Sequence, residues 1–149
     1  MYKIGEAIYT MKNGIKQVLI VIKGRFSKEE LETFDLIKGA LFESGITNYT
    51  TVIKTGFDDF EYEDVCNEDM EKLRKETPQI ADLIDSCNGI IHVDNPSLTS
   101  KSKREDSERR RENSRKKILE HLQTCRGNYK MGNWDRTCVR INDYMNAKK

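Results

Sequence analysis

Two short stretches of this sequence carry side chains able to do recognisable chemistry. The first, Thr55-Gly56-Phe57-Asp58, directly follows a run of β-branched residues. A carboxylate there can accept two parallel hydrogen bonds from a guanine edge, one from the ring N–H and one from the exocyclic amine. Adenine lacks that pair of donors, and a desolvated, unpaired carboxylate is costly, so such a site rejects adenine strongly. A neighbouring lysine stem or phenylalanine ring, Lys54 or Phe57, can cover a base face. The second stretch, Asp94-Asn95, follows Ile90-Ile91-His92-Val93. It can bring a side-chain amide or a backbone N–H to a purine carbonyl oxygen. Each stretch also has an ordinary reading. Asp58 and Asp59 are two acids among many, and Asp94-Asn95-Pro96 has the composition of a turn. Their recurrence at the ends of successive strands gives them weight together.

Other reactive residue types point to less. Cys66, Cys87, Cys125 and Cys138 stand 21, 38 and 13 apart. None of these intervals is a zinc or redox spacing. With only His92 and His121 besides, no metal site is expected and the thiols read as free and inert. His92 reads as a packed strand residue without a catalytic role. Charge is balanced in total, at net +1, but not along the chain. Residues 57–85 carry eleven acids against three bases, and residues 101–117 carry nine bases against four acids. The basic stretch, Lys101 to Lys117, interleaves acids and has no aromatics. It therefore reads as a solvated helix face with i,i+4 pairs such as Glu105–Arg109 and Glu112–Lys116, not as a nucleic-acid surface.

The elements that must position the two stretches follow from periodicity. Ile4, Ala7, Ile8 and Met11 predict a helix over 4–13, stopped by Gly14. Val18 to Ile22 is a continuous aliphatic run, which predicts a strand buried on both faces of a parallel sheet. Ser27-Lys28-Glu29-Glu30 is a capping box. It opens a helix whose stripe is Leu31, Phe34, Leu36, Ile37, Leu41 and Phe42, closed near Gly45. Residues 48–55 predict a second strand. Residues 56–67 read as an acidic loop and 68–75 as a short polar helix. Thr77-Pro78 starts another helix with Ile80, Leu83 and Ile84 on its apolar face. Residues 90–93 predict a third strand, 97–106 a mobile link, and 106–124 a long helix in which only Ile118, Leu119, Leu122 and Cys125 can dock. After Gly127 no clear period remains, so 126–149 reads as a weakly structured tail beside a domain over 1–125. Strands alternating with helices imply right-handed crossovers and a three-layer α/β fold, a parallel sheet of about three strands with helices on both faces. Ligands in such sheets bind at the carboxyl ends of the strands, where both stretches lie.

Length and composition bound this. The 149 residues suffice for one domain. The longest apolar run is five residues, Val18 to Ile22. A membrane span needs about 20, and no basic-then-apolar leader opens the sequence. A cytoplasmic location is the expectation.

The succession of residues 15–22, Gly24-Arg25-Phe26-Ser27-Lys28-Glu29-Glu30 and residues 49–59 resembles the AIG1-type, immunity-associated GTPases. These are septin-like P-loop GTPases, and the resemblance covers about residues 4–125. It implies that the strand before Arg25-Phe26-Ser27 is the fourth of a G domain. It also implies that Thr55 and Asp58 belong to the guanine-specificity motif, and that Asp94 and Asn95 are the fifth motif. It further implies GTP or GDP as ligand, with Mg²⁺. However, the chain contains no Gly-x-x-x-x-Gly-Lys-Ser/Thr loop and no Asp-x-x-Gly motif. The ligands of phosphate and Mg²⁺ are thus absent, and Gly56 stands where the guanine motif usually has lysine. Only the second half of a G domain is matched. The expectation is a truncated or degenerate P-loop GTPase-like domain that binds guanine nucleotide weakly and has no catalytic residues of its own. The alternative is a non-catalytic interaction module. Its Val18–Ile22 strand would pair through an exposed edge with a second copy or with another G domain.

Overall fold

The computed structural model describes residues 2–41 and 45–149. Among these, three parallel strands form one sheet in the order β1 (Val18–Lys23), β2 (Thr50–Thr55), β3 (Ile90–His92). Six α-helices accompany it: α1 (Tyr2–Tyr9), α2 (Lys28–Leu36), α3 (Glu63–Arg74), α4 (Pro78–Ser86), α5 (Arg104–Thr124) and α6 (Trp134–Ala147). The coarse expectation of an α/β protein with a parallel sheet is met.

The sheet has two unlike faces because successive strand residues point to opposite sides. Ile20, Val52 and Ile90 stand side by side in register, with Ile22, Lys54 and His92 in the next row. Ile22 and Val52 pack with Phe34 of α2, Leu73 of α3 and Ile80, Leu83 and Ile84 of α4 into the larger core. The opposite face carries Leu19, Val21, Thr51, Ile53 and Ile91. There α5 covers β2, with the Thr51 hydroxyl 2.8 Å from His121 Nε2. It leaves β1 open: Leu19 is 41% and Val21 58% exposed. The expectation that β1 is buried on both faces is therefore corrected. Its apolar run is continuous, but β1 is an edge strand among the described residues and only its α2 side is covered.

Local signals account for most helix ends. The Ser27 hydroxyl accepts from the Glu30 amide at 3.1 Å and the Glu30 carboxylate accepts from the Ser27 amide at 2.8 Å, the reciprocal capping box. Thr77 caps α4 by a single bond, its hydroxyl accepting from the Ile80 amide at 3.2 Å, with Pro78 in the first turn. Helix α3 begins at Glu63, not at 68: Glu63 and Asp64 place negative charge at the positive end of the helix dipole. The stripe on α2 continues through one π-helical turn, Ile37–Leu41; Phe42 lies outside the described residues.

The remainder departs further from expectation. In α1 only Ile8 of the predicted stripe packs inward, against the second core, while Ile4 is 59% and Met11 49% exposed. The buried position is Gly5, where a Cβ would lie 2.8 Å from the Trp134 ring of α6. Residues 126–149 are not a loose tail. Asn133 caps α6 by accepting from the Arg136 amide at 3.0 Å. Thr137 and Ile141 of that helix are fully buried. Ile141, Tyr129 and Met131 join Ala40, Leu41 and Ile46 in a second core, which Ile15 and Val18 extend. Ile15 and Tyr129 exchange two backbone hydrogen bonds, at 2.8 and 2.9 Å. The boundary expected at residue 125 thus crosses a shared core.

Candidate functional site

The carboxyl ends of β2 and β3 are joined by their backbones. The Val93 amide donates to the Lys54 carbonyl at 2.9 Å, and the Phe57 amide donates to the Val93 carbonyl at 3.1 Å. The turn between them needs a glycine. Gly56 has φ +70, and a Cβ there would approach the Lys23 stem at 3.3 Å. A side chain at this position would be strained, so glycine suits the turn.

The four residues proposed for base recognition have different surroundings. Thr55, half-buried, and Asn95, exposed, line one cavity of about 340 Å³ between the strand ends and α5. Asp58 lies outside that lining with its side chain 95% exposed. Asp94 is buried and already engaged: its carboxylate accepts from Arg110 Nε at 2.7 Å. Ser114 brackets its backbone, accepting from the Asp94 amide at 2.9 Å and donating to the Asp94 carbonyl at 2.6 Å. Arg110 also donates to the Asp58 carbonyl at 2.8 Å and lies over the Phe60 ring. One guanidinium of α5 thereby fastens both loops. Thr55 and Asn95 are brought together, Asp94 is a support beneath them, and Asp58 stays accessible at the rim.

The first half of α5 is largely the exposed face expected, with an i,i+4 pair at Arg104–Glu108, but the two named pairs are replaced by others and part of the helix is pinned to the acidic turn. Arg109 reaches Glu61 at 3.0 Å and Asp106 at 2.9 Å instead of Glu105. Lys116 lies nearest Glu120, at 3.9 Å, rather than Glu112. Lys117 donates to the Phe60 carbonyl at 2.6 Å, and Ser107 and Ser114 are the buried positions of the helix. The acidic turn over residues 58–61 is what the basic helix holds. Sequence separation of about fifty residues hides such pairs from any local pattern.

A second group was missed altogether. Lys54, buried in β2, donates to both oxygens of Asp69 on α3, at 2.7 and 2.8 Å. His92 Nε2 lies 2.7 Å from the same carboxylate. Phe57 packs on the His92 ring at 4.6 Å. Neither Lys54 nor Phe57 is therefore free to cover a base. Burial resists ionisation of Asp69, but the Lys54 and His92 hydrogen bonds and charges outweigh it and hold its carboxyl below the usual value of 3.8. Burial pushes His92 below 6.5 against the pull of Asp69. The available signal was the spacing of Cys66, Asp69 and Leu73, which puts one acid in the buried stripe of α3.

The four cysteines are free thiols. Burial pushes Cys87 up to about 11 and also raises Cys66. Among the described residues, no cluster of acidic, histidine and cysteine side chains is arranged to hold a metal ion. None of the described helices is long and apolar enough to cross a membrane. No protein-family model and no curated protein matches the sequence. Fold and site together define an α/β protein with a three-stranded parallel sheet. Its distinctive feature is an open cavity at the strand ends, flanked by a basic helix.

Proposed function

We propose that this chain is a guanine-nucleotide-binding module on a P-loop GTPase-like half-sheet of the AIG1 type, without hydrolytic machinery. One observation carries the reading. Thr55 and Asn95, from the ends of adjacent parallel strands, line a single cavity where α/β sheets take their ligands. The neighbouring Asp58 is exposed, and its carboxylate has only a long contact of 3.7 Å to Arg110 to give up in turning toward a purine edge. In this reading Asp58 selects guanine by accepting from its two adjacent N–H donors, and Asn95 donates to the purine carbonyl. Asp94, locked by Arg110 and Ser114, sets the height of the Asn95 loop and does not touch the base. Among the described residues no set for Mg²⁺ accompanies these groups, and phosphate cleavage is not part of the proposal.

Isothermal titration of the whole chain with GTP, GDP and ATP tests it. The expected result is weak binding that favours guanine, with no release of phosphate. Equal affinity for ATP and GTP, or turnover of GTP, overturns it.

A second reading is favoured by a different observation. β1 has no strand on its outer side among the described residues, and Leu19 and Val21 face solvent. A strand of this kind pairs readily with another chain. Light scattering after size-exclusion chromatography separates the two readings: a monomer at high concentration removes the second.

A further inference from the structure

The basic helix has two arginines left over. Of the five arginines in α5, Arg104, Arg109 and Arg110 are paired with carboxylates. Arg111 and Arg115 pair with no acid among the described residues. They are spaced i,i+4, so they lie on one face of the helix, and both line the cavity that holds Thr55 and Asn95. The same cavity has an apolar wall that includes Val21, Ile53 and Ile118. Two uncompensated guanidiniums beside an apolar surface and two neutral hydrogen-bonding side chains make an asymmetric site. One part suits a flat, weakly polar ring, one part its polar edge, and one part an anion. A volume of about 340 Å³ falls at the small end of ligand cavities, which run from about 300 to 1,000 Å³.

We infer that Arg111 and Arg115 hold the phosphate of a purine nucleotide whose base lies against Thr55 and Asn95. This inference rests on the nucleotide reading above and names the group that stands in for the missing phosphate loop. Arginine suits the task, because its planar fork matches phosphate oxygens bidentately and stays charged at every accessible pH. An anionic hydrocarbon chain satisfies the arginines and the apolar wall but leaves Thr55 and Asn95 unpaired. A purine monophosphate satisfies all three.

The test is titration of the full chain with guanosine, guanosine 5′-monophosphate and inorganic phosphate, at low and high salt. The monophosphate should bind at least about tenfold more tightly than guanosine, the gain expected of roughly 1.4 kcal/mol. The gain should shrink as salt rises. In the double variant Arg111→Gln, Arg115→Gln the ratio of the two affinities should fall to about one. Lys116→Gln, which removes an equal kind of charge from another face of α5, should leave the ratio intact. Equal binding of guanosine and monophosphate by the native chain overturns the arginine assignment and spares the base site. Inorganic phosphate binding as well as the monophosphate, or no binding by any of the three, overturns the nucleotide reading and the assignment with it. A ratio that survives in the double variant overturns the assignment alone.

Discussion

The two loops at the strand ends are built on the same plan from opposite charges. Each strand contributes one buried ion, Lys54 at the end of β2 and Asp94 just past β3. Each ion is held by a partner on a helix, Asp69 of α3 at 2.7 Å and Arg110 of α5 at 2.7 Å. Each loop then leaves a polar side chain open a few residues on, Asp58 in one and Asn95 in the other. The difference lies in the partner. Asp69 is shared with His92, so the first loop stands on two groups that titrate. The second stands on a guanidinium, which does not. The first foundation is therefore sensitive to acid below the ordinary histidine value of 6.5, because burial lowers His92. The comparison teaches that the open residues, which sequence motifs single out, contribute little to holding the loops. The rigid geometry comes from the buried ions beneath them.

This comparison can be broken most easily at its foundations. Asp69→Ala strands Lys54 in the interior, and a buried ion without its partner costs about 3 kcal/mol. Urea unfolding should show that loss, and a loss no larger than a surface substitution causes would mean Lys54 is not truly desolvated. Arg110→Ala does the same to Asp94, whose loop stays held by Ser114, so about 2 kcal/mol is expected from the same measurement. It should also weaken guanine binding, since both loops lose a hydrogen bond. Ser114→Ala removes the bracket around the Asp94 backbone and should cost about 1 kcal/mol.

Acid sharpens the contrast further. His92 and Asp69 both have folded values below their ordinary ones, so the unfolded chain takes up protons first and stability rises with pH. Stability should be complete above about pH 7. It should fall as pH drops below 6.5 through His92 and again below 3.8 through Asp69. His121, lowered by burial, adds to the first fall. Thermal melts across pH 5 to 8 should therefore have a smaller slope in His92→Gln, while Asn95→Ala should leave the slope untouched. The smallest effect on stability belongs to Asp58→Ala: its midpoint in the same melts should match the native chain. Its effect falls on specificity, and a guanine preference that persists without Asp58 removes that residue from the proposed site.

Local rules made much of this architecture legible. The β-branched runs announce three strands, Ser27 and Thr77 announce their helices, and helices between strands announce a parallel sheet. Helix α6 was not legible, because Trp134, Thr137, Ile141 and Tyr144 keep a helical spacing with threonine in the stripe and Val139, 58% exposed, off it. The charge on α5 misled in part, for a related reason. A run of arginines looks solvated until the acids of residues 58–61 are folded against it. Leu19 and Val21 misled the other way, since apolar residues in a strand are covered only if some element is placed over them.

What the sequence determined by itself was whatever depends on neighbours within a turn or a strand: the caps, the β-branched runs, the alternation of helix with strand, and the two short motifs at strand ends. Those follow from backbone hydrogen bonding and side-chain sterics over a few residues. Tertiary structure alone decided which charges are used up and which remain. Asp94 and Lys54 are spent on distant partners, while Arg111 and Arg115 keep no acidic partner among the described residues and Asp58 has only a long contact to Arg110. That sorting depends on distances between residues about fifteen to fifty positions apart in the chain. A charge is neutralised by whatever the fold brings near it in space, and the residues beside it in sequence do not reveal that.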